Sequence, residues 1–114
     1  MKFVMDINSI IDALNLTIFS SGKEKIVENG YTSDLLSVVL AKAPKKSLWI
    51  TVQRHLNIIA VASIRELTGI IICNNLIPDE EVIKKSNEEG LWLLGTELDP
   101  FTISGKLYKI LKDG

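Results

Sequence analysis

The second half of the chain contains the apolar run Leu48-Trp49-Ile50-Thr51-Val52, and two similar runs follow it at intervals of about 21 residues. These runs are Gly69-Ile70-Ile71-Ile72-Cys73 and Leu91-Trp92-Leu93-Leu94-Gly95. Each run ends at a polar cluster, and a stretch compatible with a helix follows the cluster. Strand, polar loop and helix at a constant interval are typical of consecutive βα units. The pattern predicts an α/β fold with a mostly parallel sheet of about four to five short strands and helices on both faces.

The polar clusters are expected to lie side by side at the carboxyl edge of this sheet, where open α/β folds bind ligands. They supply amides, a hydroxyl group, one fixed positive charge and one imidazole. That mixture suits an anionic ligand, such as a nucleotide or a phosphorylated metabolite, better than an apolar one. The candidate ligand-binding residues are Gln53, Arg54, His55, Asn57, Asn74, Asn75 and Thr96.

Composition limits the classes of protein that fit. A length of 114 residues predicts one domain over residues 1–114, and a net charge of −1 gives no electrostatic footprint for nucleic acid. No apolar run approaches the roughly 18–20 residues that span a bilayer. The start of the chain lacks the layout of a signal peptide, and the single cysteine, Cys73, suits a reducing interior. We therefore expect a soluble cytoplasmic domain that binds neither nucleic acid nor membrane.

Helices are predicted over residues 6–14, 33–43, 57–67 and 80–89, and from residue 99 onward. Asp6 or Asn8 is expected to cap the first helix, and Asp99 the last. Ser33 is expected to cap the second helix, with Asp34 in its first turn. Residues 26–30 read as a weak extended segment. The predicted buried face of the second helix is Leu35, Leu36, Val39 and Leu40. The residues of the last helix that are available to pack are Phe101, Ile103, Leu107, Ile110 and Leu111.

The helices offer more apolar surface than one small sheet covers, which predicts a homodimer through residues 33–43 or 57–67. Trp49 and Trp92 occupy equivalent positions in two of the repeats. The core or an interface explains them better than ligand stacking does.

Other kinds of site find less support in the residues. A nucleophilic pair of Cys73 and His55 needs a third, orienting group, for which Asp34 and Glu97 are the candidates. Cys73 also reads as a small buried residue at the end of a strand. One histidine and one cysteine without paired ligands do not predict a metal site. The turn Ser20-Ser21-Gly22-Lys23 lacks the glycine and the hydroxyl group that a phosphate-binding P-loop requires.

The order and spacing of several segments closely resemble the DRTGG domain over almost the whole chain. The segments are Gly30-Tyr31-Thr32-Ser33-Asp34-Leu35-Leu36, Leu48-Trp49-Ile50-Thr51, Asn57-Ile58-Ile59-Ala60-Val61-Ala62, Gly69-Ile70-Ile71-Ile72, Pro78-Asp79-Glu80-Glu81 and Glu89-Gly90. The Asp-Arg of the family's motif falls at Gln53-Arg54, and its Thr-Gly-Gly at Cys73-Asn74-Asn75. Only Arg54 is retained, although asparagine keeps the access to positive φ that glycine provides.

The resemblance implies a parallel α/β domain that tends to dimerise and that accompanies catalytic partners as a regulatory or oligomerising module. Such partners include acetyl-transferring enzymes and nucleotide-sensing pyrophosphatases. Free-standing members occur near hydrogenase maturation genes, and some are labelled serine kinases, an activity that the missing P-loop does not support here. We therefore predict a non-catalytic regulatory, ligand-binding and dimerisation module without a cofactor. The alternatives are a small enzyme that uses His55 with Cys73 or Arg54, and a purely structural dimerisation domain.

Overall fold

The chain forms a mostly parallel sheet with helices on both faces, as the repeated pattern predicts. A computed structural model describes residues 4–113. Its elements are β1 (Met5–Asp6), α1 (Ile7–Leu14), β2 (Thr17–Ser20), β3 (Ile26–Val27), β4 (Asn29–Thr32), α2 (Leu36–Lys42), β5 (Ser47–Thr51), α3 (Asn57–Ile64), β6 (Gly69–Ile72), α4 (Glu80–Glu88), β7 (Trp92–Gly95) and α5 (Pro100–Asp113).

The main sheet of the described residues has the strand order β2-β7-β6-β5-β4. Strands β4 to β7 are parallel, and β2 pairs antiparallel with β7 along one edge. Strands β1 and β3 form a separate two-stranded antiparallel ribbon. The α/β fold class is therefore confirmed. No helix between residues 4 and 113 is long and apolar enough to cross a membrane.

The three apolar runs form the adjacent strands β5, β6 and β7, and every residue of these strands is buried. Continuous burial follows from helices on both faces, which leave no side of the strand for polar residues. The register pairs Trp49 with Ile70 and Ile70 with Leu93, whereas Trp92 pairs with Gly69. The repeat had indicated that the two tryptophans occupy equivalent positions, and the register shows that they do not. They lie in the cores on opposite faces of the sheet.

Side chains alternate along the strands and build one core on each face of the sheet. One core joins Ile50, Ile71 and Leu94 to apolar residues of α1 and α5. The other joins Ile70 and Leu93 to residues of α2, α3 and α4. This arrangement leaves the two ends of the parallel strands uncovered by helices, and the carboxyl end carries the polar loops.

The expected caps of the first and last helices are confirmed, and the fourth helix is present over Glu80–Glu88. The Asp6 carboxylate accepts a hydrogen bond from the backbone N–H of Asn8 at 2.9 Å, and the Asp99 carboxylate accepts one from the Thr102 N–H at 3.2 Å. Gly90 follows the end of α4 with φ +68°, a conformation that glycine adopts without the steric cost of a Cβ. The stretch of residues 57–67 is helical over Asn57–Ile64, as the crossover between two parallel strands requires.

The expected start of the second helix was wrong, and its expected buried face is buried only at Val39 and partly at Leu36. Leu35, not Ser33, precedes the first turn of α2, and the Ser33 hydroxyl accepts a hydrogen bond from the Leu35 N–H in a local turn. Leu35 and Leu40 are exposed, and Val39 is the buried residue of this helix. Helix α2 packs chiefly on α3, so only a narrow stripe of it reaches the core.

Two further expectations need correction. Residues 29–32, expected to lie at or beyond the end of a weak extended segment, form β4, the strand that pairs with β5. Phe101, expected to pack, is 86% exposed because it projects from the first turn of α5 on the side away from the sheet. Ile103, Leu107 and Leu111 do pack in the core.

Candidate functional site

Loops at the carboxyl edge of the parallel strands line two neighbouring clefts. One, which we call the Arg54 cleft, has a volume of about 450 Å³. It is lined by Val52, Gln53, Arg54, His55, Asn74, Leu76 and Asp79. The other, which we call the Lys106 cleft, has a volume of about 480 Å³. Its polar lining residues are Asn15, Thr17, Asn75, Thr96, Glu97 and Lys106.

The loop after β5 is held in place by Asp34. The Asp34 carboxylate accepts a hydrogen bond from the Thr51 hydroxyl at 2.7 Å and another from the Val52 N–H at 3.0 Å. The Gln53 amide donates to the Asp34 carbonyl at 3.1 Å, and the Gln53 N–H donates to the Thr51 hydroxyl, also at 3.1 Å. Asp34 therefore links the end of β4 to the end of β5 and holds in place the loop that carries Arg54 and His55.

Arg54 and His55 are both exposed to solvent in the Arg54 cleft. One guanidinium N–H of Arg54 donates to the Ile77 carbonyl at 3.1 Å, which orients the side chain across the cleft. Among residues 4–113 the guanidinium forms no ion pair and the His55 ring has no hydrogen-bond partner. The charge of Arg54 and both ring nitrogens of His55 therefore remain available to a ligand.

Asp79 also lines the Arg54 cleft, and it was absent from the residues expected at the site. It occupies the N-cap position of α4, yet its side chain makes no capping hydrogen bond. A sequence signal for it existed: the cap of the helix that follows β6 must lie near the carboxyl end of that strand, beside Asn74.

The Asn74-Asn75 turn separates the two clefts. Both residues adopt the left-handed conformation, with φ +60° and +57°, which asparagine tolerates better than most residues. The backbone N–H of Asn74 donates to the Leu98 carbonyl at 2.9 Å, and that of Asn75 donates to the Thr96 carbonyl at 2.8 Å. The turn is therefore tied to the loop after β7. Asn74 lines the Arg54 cleft and Asn75 the Lys106 cleft.

The residues expected at one site are thus divided between two clefts. Gln53, Arg54, His55 and Asn74 share the Arg54 cleft, while Asn75 and Thr96 line the Lys106 cleft. Asn57 lines neither cleft and is exposed at the first position of α3. Ligand binding by any of these residues stays a prediction.

The proposed pair of Cys73 and His55 finds no geometric support. Cys73 is fully buried. Desolvation, followed by the negative charges of Asp34 and Asp99, raises the pKa of its thiol to about 11, so the thiol is protonated at neutral pH. Of the two candidate orienting groups, Asp34 bonds the loop after β5 and Glu97 lines the other cleft. Among residues 4–113 there is no cluster of three or more His, Cys, Asp or Glu side chains that could hold a metal ion.

Comparison with known proteins finds a similarity in structure but none in sequence. The chain matches no known protein family, and no curated protein has a similar sequence. Among solved structures, it is similar to the CBS and DRTGG domains of the regulatory region of Clostridium perfringens pyrophosphatase, solved with its activator diadenosine tetraphosphate. The TM-score is 0.78 at 16% sequence identity, and the match covers 93% of this chain and 47% of that one. The similarity establishes a shared fold, and the chain spans about half the length of that structure.

Proposed function

We propose that residues 1–114 form a DRTGG-type regulatory domain that is not itself catalytic. In this proposal the domain binds a nucleotide or a phosphorylated metabolite and regulates a partner enzyme in the cytoplasm. The shared fold with a regulatory region solved with a nucleotide activator supports a regulatory role. The observation that carries the proposal is the lining of the Arg54 cleft, which combines a guanidinium without an ion-pair partner, an imidazole without a hydrogen-bond partner among the described residues, and two side-chain amides.

The groups in the Arg54 cleft favour an anion that also carries hydroxyl groups. A guanidinium binds a phosphate through two parallel hydrogen bonds, and the amides of Gln53 and Asn74 add donors. The carboxylate of Asp79 would repel a phosphate group at close range, but it suits a ribose hydroxyl, which donates to it. A nucleotide provides a phosphate group for Arg54 and a ribose hydroxyl for Asp79, whereas inorganic phosphate provides only the first.

Binding and regulation are favoured over catalysis by the state of the reactive groups. The Cys73 thiol is buried and protonated, and the His55 ring lacks an orienting carboxylate among the described residues. Most hydrolytic chemistry requires paired carboxylates or an activated nucleophile. The Arg54 cleft contains a single carboxylate, that of Asp79.

We further propose that the domain is a homodimer that joins through α3. The inner face of α3 is buried, but Leu56, Ala60 and Ile64 form an exposed apolar stripe at intervals of four residues. Leu56 is 43% exposed and Ile64 is 68% exposed. Antiparallel packing of two copies about a twofold axis places Leu56 opposite Ile64 and brings the two small Ala60 side chains together. The stripe is thus complementary to itself, which favours a second copy of the chain as its partner.

The ligand proposal is tested by thermal shift and calorimetry with ATP, ADP, diadenosine tetraphosphate and inorganic phosphate. We expect at least one of the nucleotides to raise Tm, because selective binding to the native state stabilises it, and inorganic phosphate to have a much smaller effect. The double variant Arg54→Ala/Asn74→Gly should abolish the shift and keep the Tm of the unliganded protein, because glycine adopts the positive φ of residue 74 without steric strain. Both side chains are exposed, so their removal leaves the core intact.

The matched control is Lys84→Ala/Asn87→Ala, which also removes one positive charge and one amide, from exposed positions of α4 outside the Arg54 cleft. The control should keep the full ligand-induced shift. An equal loss in the two double variants would show that net charge, and not the cleft, determines binding. No shift with any of the nucleotides would overturn the ligand proposal.

A further inference from the structure

The Lys106 cleft has a negative and a positive pole. Its negative side is formed by Glu97 and by the C-terminal end of α1, where Ala13 and Leu14 line the cleft. The last carbonyl groups of a helix carry partial negative charge, and the last turn of α1 contains no basic residue to offset it. Lys106 of α5 supplies the positive side.

Neither Glu97 nor Lys106 forms an ion pair within the described residues. Lys45 and Glu66 elsewhere on the surface form an ion pair at 2.9 Å, but Glu97 and Lys106 form none. The negative charge of Glu97 would repel a simple anion bound at Lys106. The positive charge of Lys106 would likewise repel a simple amine bound at Glu97. A molecule that carries both an ammonium and a carboxylate group satisfies both poles without such repulsion.

The Lys106 cleft also contains polar side chains that can bind a ligand, on a backbone that the fold holds in place. The backbone N–H of Asn75 donates to the Thr96 carbonyl at 2.8 Å, and that of Thr96 donates to the Ile72 carbonyl at 3.0 Å. Asn15 and Asn75 both adopt positive φ and are exposed, and their side-chain amides have no partner within residues 4–113. These amides and the hydroxyl of Thr17 can complete the hydrogen bonding of a small polar ligand.

We propose that the Lys106 cleft binds a small zwitterion of the free amino acid class, at a site separate from the Arg54 cleft. The ammonium group lies between Glu97 and the end of α1, and the carboxylate lies at Lys106. A volume of about 480 Å³ is within the usual range for small-molecule sites and accommodates an amino acid with its side chain.

The test is an NMR titration of the isotope-labelled chain with each standard α-amino acid. We expect at least one amino acid to shift the backbone amide resonances of Asn15, Asn75 and Glu97. The variants Glu97→Gln and Lys106→Met should each weaken its binding by roughly tenfold or more, because each removes one charged contact. Lys109→Met, which removes an exposed lysine of the same helix outside the cleft, should bind normally.

Charge-deleted derivatives of the best amino acid complete the test. Its N-acetyl derivative lacks the ammonium group and its carboxamide lacks the carboxylate, so both should bind much more weakly than the parent. The proposal is overturned if no amino acid shifts these resonances, if the derivatives bind as tightly as the parent, or if the shifts are confined to residues 53–55. The amide spectra of the variants show directly whether each one is folded.

Discussion

Cys73 provides a test at the scale of a single residue, because its thiol is buried by the core beneath the Asn74-Asn75 turn. Burial is the largest cause that raises the pKa of this thiol from 9.0 to about 11. We expect a thiol reagent at pH 8 to label the native protein only as fast as it unfolds, and to label it at once in denaturant. Rapid labelling of the native state would contradict both the burial of Cys73 and the assignment of the domain as non-catalytic.

The same thiol contributes to the pH dependence of stability. Because its pKa is higher in the folded than in the unfolded state, its contribution is complete below pH 9 and is lost as the pH rises from about 9 to about 11. The free energy of unfolding of Cys73→Ala should therefore fall less steeply over this interval than that of the parent chain. Denaturant titrations at several pH values measure the difference.

At the scale of the elements, β6 is central to the fold because it lies between β5 and β7 and contributes residues to the core on each face of the sheet. Ile71 is fully buried in the core shared with α1 and α5. Ile71→Ala should lower the free energy of unfolding by about 2–5 kcal/mol through lost burial and a residual cavity. Ile77→Ala, at a loop isoleucine that is 62% exposed, should cost less than about 0.5 kcal/mol. Similar costs for the two variants, measured by chemical denaturation, would contradict the central position of β6.

The elements differ in how far the sequence predicts them. Strands β5 to β7 were predictable because each is a short, continuous apolar run at a regular interval. Strand β4 was not, because Asn29 and Gly30 have low strand propensity and pairing with β5 holds them extended. The start of α2 was misplaced for a similar reason: the Asp34 carboxylate bonds Thr51, which lies 17 residues further along the chain. A nonlocal partner outweighed a local capping preference.

The sequence predicts that the candidate residues gather at the carboxyl edge of the sheet, but it does not predict that they line two separate clefts. Parallel strands bring their carboxyl ends to one edge, so the polar clusters identify that edge. The division into two clefts depends on the left-handed Asn74-Asn75 turn and on where α1 and α5 pack, and neither follows from local sequence.

At the scale of the whole molecule, the proposed dimer makes a direct prediction. Ile64→Lys places a charge on the exposed stripe of α3, where the twofold axis would bring it against the apolar stripe of the second copy. We expect light scattering to report a dimer for the parent chain at micromolar concentration and a monomer for Ile64→Lys. Phe101→Lys, at another exposed apolar residue on α5, should remain a dimer. A monomeric parent chain, or a dimer that survives Ile64→Lys, would rule out this interface.

The Asn74-Asn75 turn gives the two clefts a common wall, with a single peptide unit between the residue that faces one cleft and the residue that faces the other. Movement of that peptide is transmitted to both sides, since each residue is also bonded to the loop after β7. If a molecule in one cleft changes the position of the turn, the affinity of the other cleft changes with it. Thermodynamic linkage then requires the effect to have the same size in both directions. A domain of this size would thereby have the means to combine two chemical signals into one response.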